Sequence, residues 1–262
     1  MALNFSKLLT ELSDESGELM NCLGQLRPDQ WEAATPAVGW AIRDHVSHLA
    51  YFDDVTVLAV TDVPAFRQLS QDLVSKGPDF PDYIAAQYQS LTAQELLDWI
   101  WQSRRNLVDT FAQHDPRSRL PWFGPDMSVG SSATARLMET WAHGQDVYDT
   151  LGIPHPPCAG MRSIAHLGVR TFAFSFRLNG REVPEEPVLV QLHSSDGELH
   201  QWGPTDAPNR ITGEIEDFVS VVTQRRHWTN TSLRVEGDVA AQWLDIAQAF
   251  AGAPGTGRAA AH

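Results

Sequence analysis

A chain of 262 residues is longer than one typical domain, so its length favours two domains. Hydrophobic residues make up 42% of the chain and charged residues 20%, which is typical of a packed globular protein and excludes collagen-like and disordered classes. The formal net charge of −14 argues against nucleic acid as a partner, because phosphate binding needs an excess of Lys and Arg.

Apolar spacing predicts two helices in the first sixty residues. Leucines recur along one helical stripe between Leu8 and Leu26, and Arg27-Pro28 closes that segment. Over residues 42–60 both faces are rich in apolar residues, which is typical of a helix that is buried on more than one side. Both segments suit a helical bundle.

Capping residues predict two more helices before residue 152. Thr92-Ala-Gln-Glu95 is a capping box that opens a third helix. Ser131 or Ser132 can cap a fourth helix, which stops at Gly152. Four helices joined by long connections predict a four-helix bundle.

Strand patterns occur only in the second half of the chain. Residues 187–193 alternate between apolar and polar, and lead into Ser194-Ser-Asp-Gly197, a hairpin signal. Residues 232–236 are typical of another strand, and an amphipathic helix is predicted over 239–250. We therefore expect a two-domain α+β protein with these parts: the bundle over 1–151, an α+β domain over 158–252 and a disordered tail over 253–262.

The chain shows neither a membrane-spanning pattern nor a leader pattern. It lacks any run of ~18 apolar residues, and its start, MALNFSKLLTELSDES, places acids and hydroxyls where a signal peptide has basic and apolar regions. The two cysteines, Cys22 and Cys158, are too few for a disulfide framework and suit a reducing compartment. We therefore expect a cytoplasmic protein that has no membrane partner.

Glu139-Thr-Trp-Ala-His143 lies in the predicted fourth helix. A spacing of four residues places both side chains on one face, close enough to share a ligand, and Asp146 continues that face. The same spacing occurs by chance in helical proteins as a surface Glu–His pair. On spacing alone, metal binding and a surface pair both stay open.

His48 is expected to point into the bundle, because it shares a helical face with apolar residues. A lone buried histidine usually bonds a carbonyl or a carboxylate. With Glu139 and His143 on the same interior, however, His48 completes a set of two imidazoles and one carboxylate, which leaves coordination positions open as catalytic metal sites do. His45 falls about 60° short of a full turn from His48 and is expected to be exposed or to support the ligands.

Two runs of residues carry a resemblance: Val38-Gly-Trp-Ala-Ile-Arg-Asp-His-Val-Ser-His48-Leu and Arg136-Leu-Met-Glu139-Thr-Trp-Ala-His143-Gly-Gln-Asp146. They resemble the mycothiol-dependent maleylpyruvate isomerase family of the DinB-like superfamily. That resemblance implies a DinB-like four-helix bundle that holds a divalent metal, usually zinc, with His48, Glu139 and His143 at the matching positions. It also implies a small second domain of the sterol-carrier-protein-like α+β type.

The resemblance further implies a metal-dependent and thiol-dependent transferase or isomerase that acts on a small electrophile. Zinc is the favoured metal, and the same donor set also suits iron, nickel or manganese. Because Cys22 and Cys158 lie outside the predicted site, the thiol would come from mycothiol as a cosubstrate, with zinc holding its sulfur as a thiolate. Monomer and homodimer are both open.

Three further residues are candidates for catalytic roles. Gly213-Glu-Ile-Glu-Asp217 followed by Arg225 resembles the family segment that brings an arginine towards the active site, and Arg226 is the alternative. Such an arginine could clamp a substrate carboxylate in a cleft between the domains, as could Arg104; a solvated surface charge is the other possibility for each. Asp146 could hold the neighbouring ligand histidine or cap a helix.

Two other functions are open on the sequence alone. Metal-bound water in place of a thiolate would make the protein a metal-dependent hydrolase. A non-catalytic protein whose bundle binds a metal or a small ligand is the other candidate. A requirement for thiol separates the leading function from the hydrolase, and ligand binding without turnover identifies the binding protein.

Overall fold

The computed structural model of the chain describes residues 4–260 and divides into two compact units, Met1–Cys158 and Ala159–His262. The first unit is helical and the second combines helices with a sheet, so the predicted α+β class is confirmed. The sequence predicts that the bundle ends at residue 151 and that the second domain starts at residue 158, and the chain passes from one unit to the other between Cys158 and Ala159. Among the described helices, none combines the length and the apolar character needed to cross a bilayer.

The four long helices of the first unit form the predicted bundle. In chain order the elements are α1 (Phe5–Leu23), α2 (Pro28–Trp31), α3 (Ile42–Thr61), α4 (Val63–Val74), α5 (Phe80–Gln87), α6 (Ala93–Ala112), β1 (Arg119–Leu120), β2 (Met127–Ser128) and α7 (Val129–Leu151). Helices α3 and α1 each pack against both α6 and α7. The sequence patterns do not predict α2, α4, α5 or the β1–β2 pair. Helices α2 and α5 and the two strands are too short to show a clear period, whereas α4 has 12 residues but buries only Phe66 and Leu73.

Local sequence signals determine where the long helices begin and end. The predicted capping box of α6 is confirmed, with the Thr92 hydroxyl accepting from the N–H of Glu95. The predicted cap of α7 is wrong: Ser128 caps this helix by accepting from the N–H of Ser131, which itself lies in the first turn. Helix α7 ends at Gly152 as predicted, with the left-handed φ of 66° that glycine allows.

The second unit contains a four-stranded sheet. Its elements are α8 (Met161–Arg170), α9 (Phe172–Leu178), β3 (Val188–His193), β4 (Leu199–Trp202), β5 (Asn209–Glu214), α10 (Ile215–Val222), a 3-10 helix (Trp228–Asn230), β6 (Arg234–Glu236) and α11 (Asp238–Leu244). The strand order is β4-β3-β5-β6, with β3 and β5 parallel and the other pairs antiparallel. The sequence predicted β3, the hairpin and β6, but not α8, α9, α10 or β5. It extended α11 to residue 250, six residues too far.

The tail that the sequence predicts to be disordered is only partly described. Residues 253–260 form neither helix nor strand. The N–H of Gly255 donates to Oε1 of Gln248 at 2.9 Å, and the carbonyl of Ala259 accepts from Nδ2 of Asn230 at 3.1 Å. This segment therefore follows the surface of its own unit, and residues 261–262 lie outside the described residues.

Candidate metal centre

The structure brings His48, Glu139 and His143 together inside the bundle. His48 lies on α3, whereas Glu139 and His143 lie one turn apart on α7. Oε2 of Glu139 is 3.2 Å from Nε2 of His143 and 3.9 Å from Nε2 of His48. The three ligand atoms all lie within 4.8 Å of one another. Two helices thus converge on one small volume with two nitrogens and one oxygen.

This spacing fits a divalent cation. Donor atoms bound at the zinc–ligand distances of proteins, with tetrahedral angles, stand about 3.4 Å apart, and the observed 3.2 Å and 3.9 Å fall on either side of that value. The side chains of His48, His143 and Glu139 keep exposures of 12%, 11% and 23%. The donor set is therefore partly open, and it can take a metal that still has coordination positions for a ligand from outside.

The electrostatics of Glu139 suit a ligand. Burial raises the pKa of its carboxyl group, but the neighbouring imidazoles of His143 and His48 outweigh burial and hold this pKa well below the usual value. Glu139 is therefore an ionised carboxylate, which is the form that binds metals.

Aromatic rings flank the two histidines. The indole of Trp40, just before α3, stacks on the ring of His143 with centroids 5.7 Å apart and an interplanar angle of 14°. Phe52, one turn after His48 on α3, lies 4.7 Å from the ring of His48 between centroids. Phe123 in turn packs on Phe52 at 5.9 Å. These contacts restrict both imidazole planes and give the site an apolar wall.

His45 is buried, so the exposed alternative for this residue is wrong. Its side chain lies beneath the triad, with Nδ1 2.7 Å from Nδ1 of His143 and Nε2 2.8 Å from Oγ1 of Thr35. Asp146 is fully buried on α7, and its carboxylate lies within 4.8 Å of the ligand atoms of His45 and His143. The 2.7 Å separation is that of a hydrogen bond and is shorter than two nitrogens on one metal would show. His45 is therefore a hydrogen-bonded neighbour of His143, and Asp146 lies close to both histidines.

Arg104 is buried in an ion-pair cluster, so it is not a surface charge. Its Nε donates to Oδ2 of Asp53 at 2.6 Å, and its Nη1 donates to Oγ1 of Thr140 at 2.9 Å and to the Ser16 hydroxyl. Arg136 donates through Nε to Oδ1 of the same Asp53 at 2.9 Å. Burial lowers the pKa of Arg104, and the Asp53 carboxylate opposes this effect. Arg104 thus contacts α7 next to the triad, through Thr140.

Arg225 and Arg226 lie in the second unit, just after α10. Nη1 of Arg225 donates to the carbonyl of Thr223 at 2.6 Å, and Nη1 of Arg226 donates to the carbonyl of Arg225 at 2.8 Å. Gln224 lies between α10 and the two arginines. Its left-handed φ of 60° turns the chain away from the axis of α10. The carboxylate-clamping role of either arginine stays a prediction.

The cysteines are separate from the donor set. Cys22 lies on α1, and burial raises the pKa of its thiol, which keeps it in the unreactive protonated form. Cys158 is the last residue of the first unit, and the two cysteines form no disulfide with each other. Neither belongs to the groups that could hold a metal.

Comparisons with known proteins agree with this architecture. The family model of the mycothiol maleylpyruvate isomerase N-terminal domain matches residues 12–148. An uncharacterized protein of Mycobacterium tuberculosis, found in strains H37Rv and CDC 1551, is 44% identical over 251 residues, which cover 95% of this chain and 97% of the relative.

Two crystal structures have a similar fold. One is of the mycothiol-dependent maleylpyruvate isomerase, with a TM-score of 0.60, 12% identity, and coverage of 89% of this chain and 93% of the other. The second is of a histidine-to-alanine mutant of that enzyme, with a TM-score of 0.59, 13% identity, and coverage of 86% and 90%. At such identities the likeness concerns the fold.

Proposed function

The chain belongs to the mycothiol maleylpyruvate isomerase family, and on that premise we propose that it is a metal-dependent enzyme that uses mycothiol to transform a small electrophile. The observation that carries the proposal is the convergence of two imidazoles and one carboxylate, from α3 and α7, in a partly open site. The low share of positive charge agrees with a small-molecule substrate. A low-molecular-weight thiol cosubstrate needs reducing conditions, which supports our proposal that the enzyme acts in the cytoplasm.

We propose that His48, Glu139 and His143 hold the metal. Zinc is favoured, and iron, nickel and manganese also suit this donor set. A bound divalent cation supplies Lewis acidity, which lowers the pKa of a thiol that coordinates it. The carboxylate of Glu139 offsets part of the charge, while Trp40 and Phe52 hold the planes of the imidazoles.

The chemistry that follows is addition of the thiolate to an electrophilic carbon. In an isomerase, a carbon–sulfur bond forms at an activated double bond, the resulting single bond rotates, and elimination breaks the same carbon–sulfur bond and returns the thiolate. In a transferase, the carbanion that forms beside the new carbon–sulfur bond takes a proton from water, and the resulting adduct is the product. Both reactions need only that the thiol and the electrophile meet at the partly open side of the triad.

The remaining candidate residues have different roles in this reaction. We propose that Arg104 acts as a positioning residue, because its donors are taken by Asp53, Ser16 and Thr140. Asp146 supports His143 from the buried side. Arg225, with Arg226 as the alternative, is proposed to bind a substrate carboxylate in a bidentate fork.

Activity is expected to require added thiol and not the protein's own cysteines. The double variant Cys22→Ser, Cys158→Ser should keep its turnover, because neither cysteine belongs to a donor group, whereas leaving out mycothiol should abolish turnover. The measurement is product formation and thiol consumption with a panel of activated alkenes, maleylpyruvate among them. Metal content must be equal in every sample.

The alternatives give different results in the same assay. A hydrolase would turn over esters or amides in thiol-free buffer, which would contradict the proposal. Activity with any simple thiol and no preference for mycothiol would keep the addition chemistry but overturn the choice of cosubstrate. Ligand binding without turnover under all conditions would identify a binding protein.

A further inference from the structure

The hydroxyl of Thr35 determines which nitrogen of His45 carries a proton. Oγ1 of Thr35 accepts from the N–H of Ala37 at 3.3 Å, and the carbonyls of Trp40 and Ala37 lie 3.0 Å and 3.4 Å from the same oxygen. The Thr35 hydroxyl donates its single proton to the carbonyl of Trp40. At 2.8 Å from Nε2 of His45, the Thr35 oxygen is left as an acceptor, and this Nε2 must donate.

The same reasoning continues to the metal ligand. A neutral His45 that is protonated at Nε2 has a lone pair at Nδ1, and this lone pair faces Nδ1 of His143 at 2.7 Å. A hydrogen bond at that distance therefore requires His143 to donate from its Nδ1. His143 is then the tautomer whose Nε2 has a lone pair.

That lone pair faces the donor set. Nε2 of His143 lies 3.2 Å from Oε2 of Glu139, so the lone pair of this nitrogen and a carboxylate oxygen face the same small volume, where a cation between them is stabilising. This tautomer of His143 follows from the hydrogen bonds of Thr35 and His45 and does not depend on a bound metal. The hydrogen bonds nevertheless leave Nε2 of His143 with a lone pair that can bind a metal.

From this geometry we propose that His45 is a positioning residue for the metal centre. Through the Thr35–His45–His143 hydrogen-bond chain it fixes the tautomer of His143 and makes Nε2 available as a ligand. Metal-binding histidines commonly donate their other N–H to a carboxylate or a carbonyl, and here a second imidazole accepts it, with Asp146 close by. His45 is 1% exposed, so water cannot easily replace it. The proposal rests on the proposed metal site.

Two substitutions separate the hydrogen bond from simple packing. The substitution His45→Phe keeps a flat ring against Trp40 but removes the hydrogen-bond acceptor. In His45→Asn, the side-chain amide oxygen can accept the hydrogen bond in place of Nδ1. With zinc as the probe and a chromophoric chelator as the competitor, we expect the affinity of the full chain to fall about 10–100-fold in His45→Phe. His45→Asn should stay close to the parent protein.

The matched control is His155→Phe. His155 is also a buried histidine of the first unit with two partners, Nε2 at 2.9 Å from Glu15 and Nδ1 at 3.1 Å from Gln145, and it stacks on Trp141. It does not belong to the Thr35–His45–His143 chain. Its substitution should leave zinc affinity unchanged.

A second readout needs no metal. Nitrogen-15 NMR of the metal-free protein at alkaline pH, where free imidazole is neutral, reports which nitrogen of His143 carries the proton. We expect Nδ1–H in the parent protein and in Thr35→Ser, and a shift towards Nε2–H in Thr35→Val, which keeps its shape but loses the hydroxyl. This pair of variants serves as the test if His45→Phe does not fold.

The outcomes are separable. An unchanged zinc affinity in His45→Phe, an equal loss in His45→Asn, or an Nε2–H tautomer of His143 in the parent protein would each overturn the proposal. If the parent protein bound no zinc, the proposed metal site would fail, but the tautomer measurement would still decide whether the hydrogen-bond chain exists.

Discussion

Replacing His48 by alanine is expected to remove most of the bound metal. The substitution takes away the one donor that α3 provides and leaves Glu139 and His143 on α7 as a pair one turn apart. Because loss of a mere supporting partner costs a metal site 10–100-fold in affinity, loss of a direct ligand should cost more than about 100-fold. Elemental analysis after dialysis against a weak chelator measures the effect.

A control histidine makes the result specific. His114 is half-buried at the end of α6, and its Nδ1 lies 2.7 Å from the carbonyl of Thr110, outside both groups that could hold a metal. His114→Ala should keep the metal content of the parent protein. Stoichiometric metal in His48→Ala, or in the variant that lacks all three donors, would show that the metal binds elsewhere.

The second large effect concerns stability. Asp53 is completely buried and accepts hydrogen bonds from two buried arginines, Arg104 on α6 and Arg136 on α7. Its replacement by alanine would leave two cations without their carboxylate, and breaking a buried pair in this way typically costs about 3–5 kcal/mol. We expect Asp53→Ala to lower the free energy of unfolding of the first unit by that amount.

The neighbouring Asp54 is a matched control. It is exposed and accepts from Nε1 of Trp99 at 2.7 Å, so Asp54→Ala should cost about 1 kcal/mol or less. Urea unfolding gives the free energies, and amide hydrogen exchange of α3, α6 and α7 assigns the loss to the first unit. Equal stabilities of the two variants would mean that water or a rearranged partner compensates for Asp53.

The bundle could be predicted because its helices are long and amphipathic. Apolar spacing and capping identify α1, α3, α6 and α7, but the predicted caps of α7, Ser131 and Ser132, lie three and four residues after the observed cap, Ser128, which is also a serine. In the second unit, the buried positions of α8 follow a helical period, at Met161, Ile164, Ala165 and Gly168, so apolar spacing is sufficient to predict this helix. Strand β5 has only two buried residues, which is too few for a period.

The donor set was predictable, whereas the roles of the residues around it stayed open on the sequence alone. Glu139 and His143 are four residues apart on one helix, so spacing reveals that they share a face. His45 meets a partner 98 residues away, and Asp53 meets partners 51 and 83 residues away. Such contacts depend on how α3, α6 and α7 pack, and no local pattern encodes them. The helical angle between His45 and His48 leaves exposure and support of the ligands both open for His45, because that angle contains no information on how α7 packs.

A metal held by His48, Glu139 and His143 should receive the sulfur of the thiol cosubstrate. The most direct measurement is the absorption spectrum of the cobalt-substituted protein during a titration with mycothiol. We expect a sulfur-to-cobalt charge-transfer band that grows to saturation in the parent protein and is absent in His48→Ala. A fully loaded parent protein that shows no such band at saturating mycothiol would contradict the account.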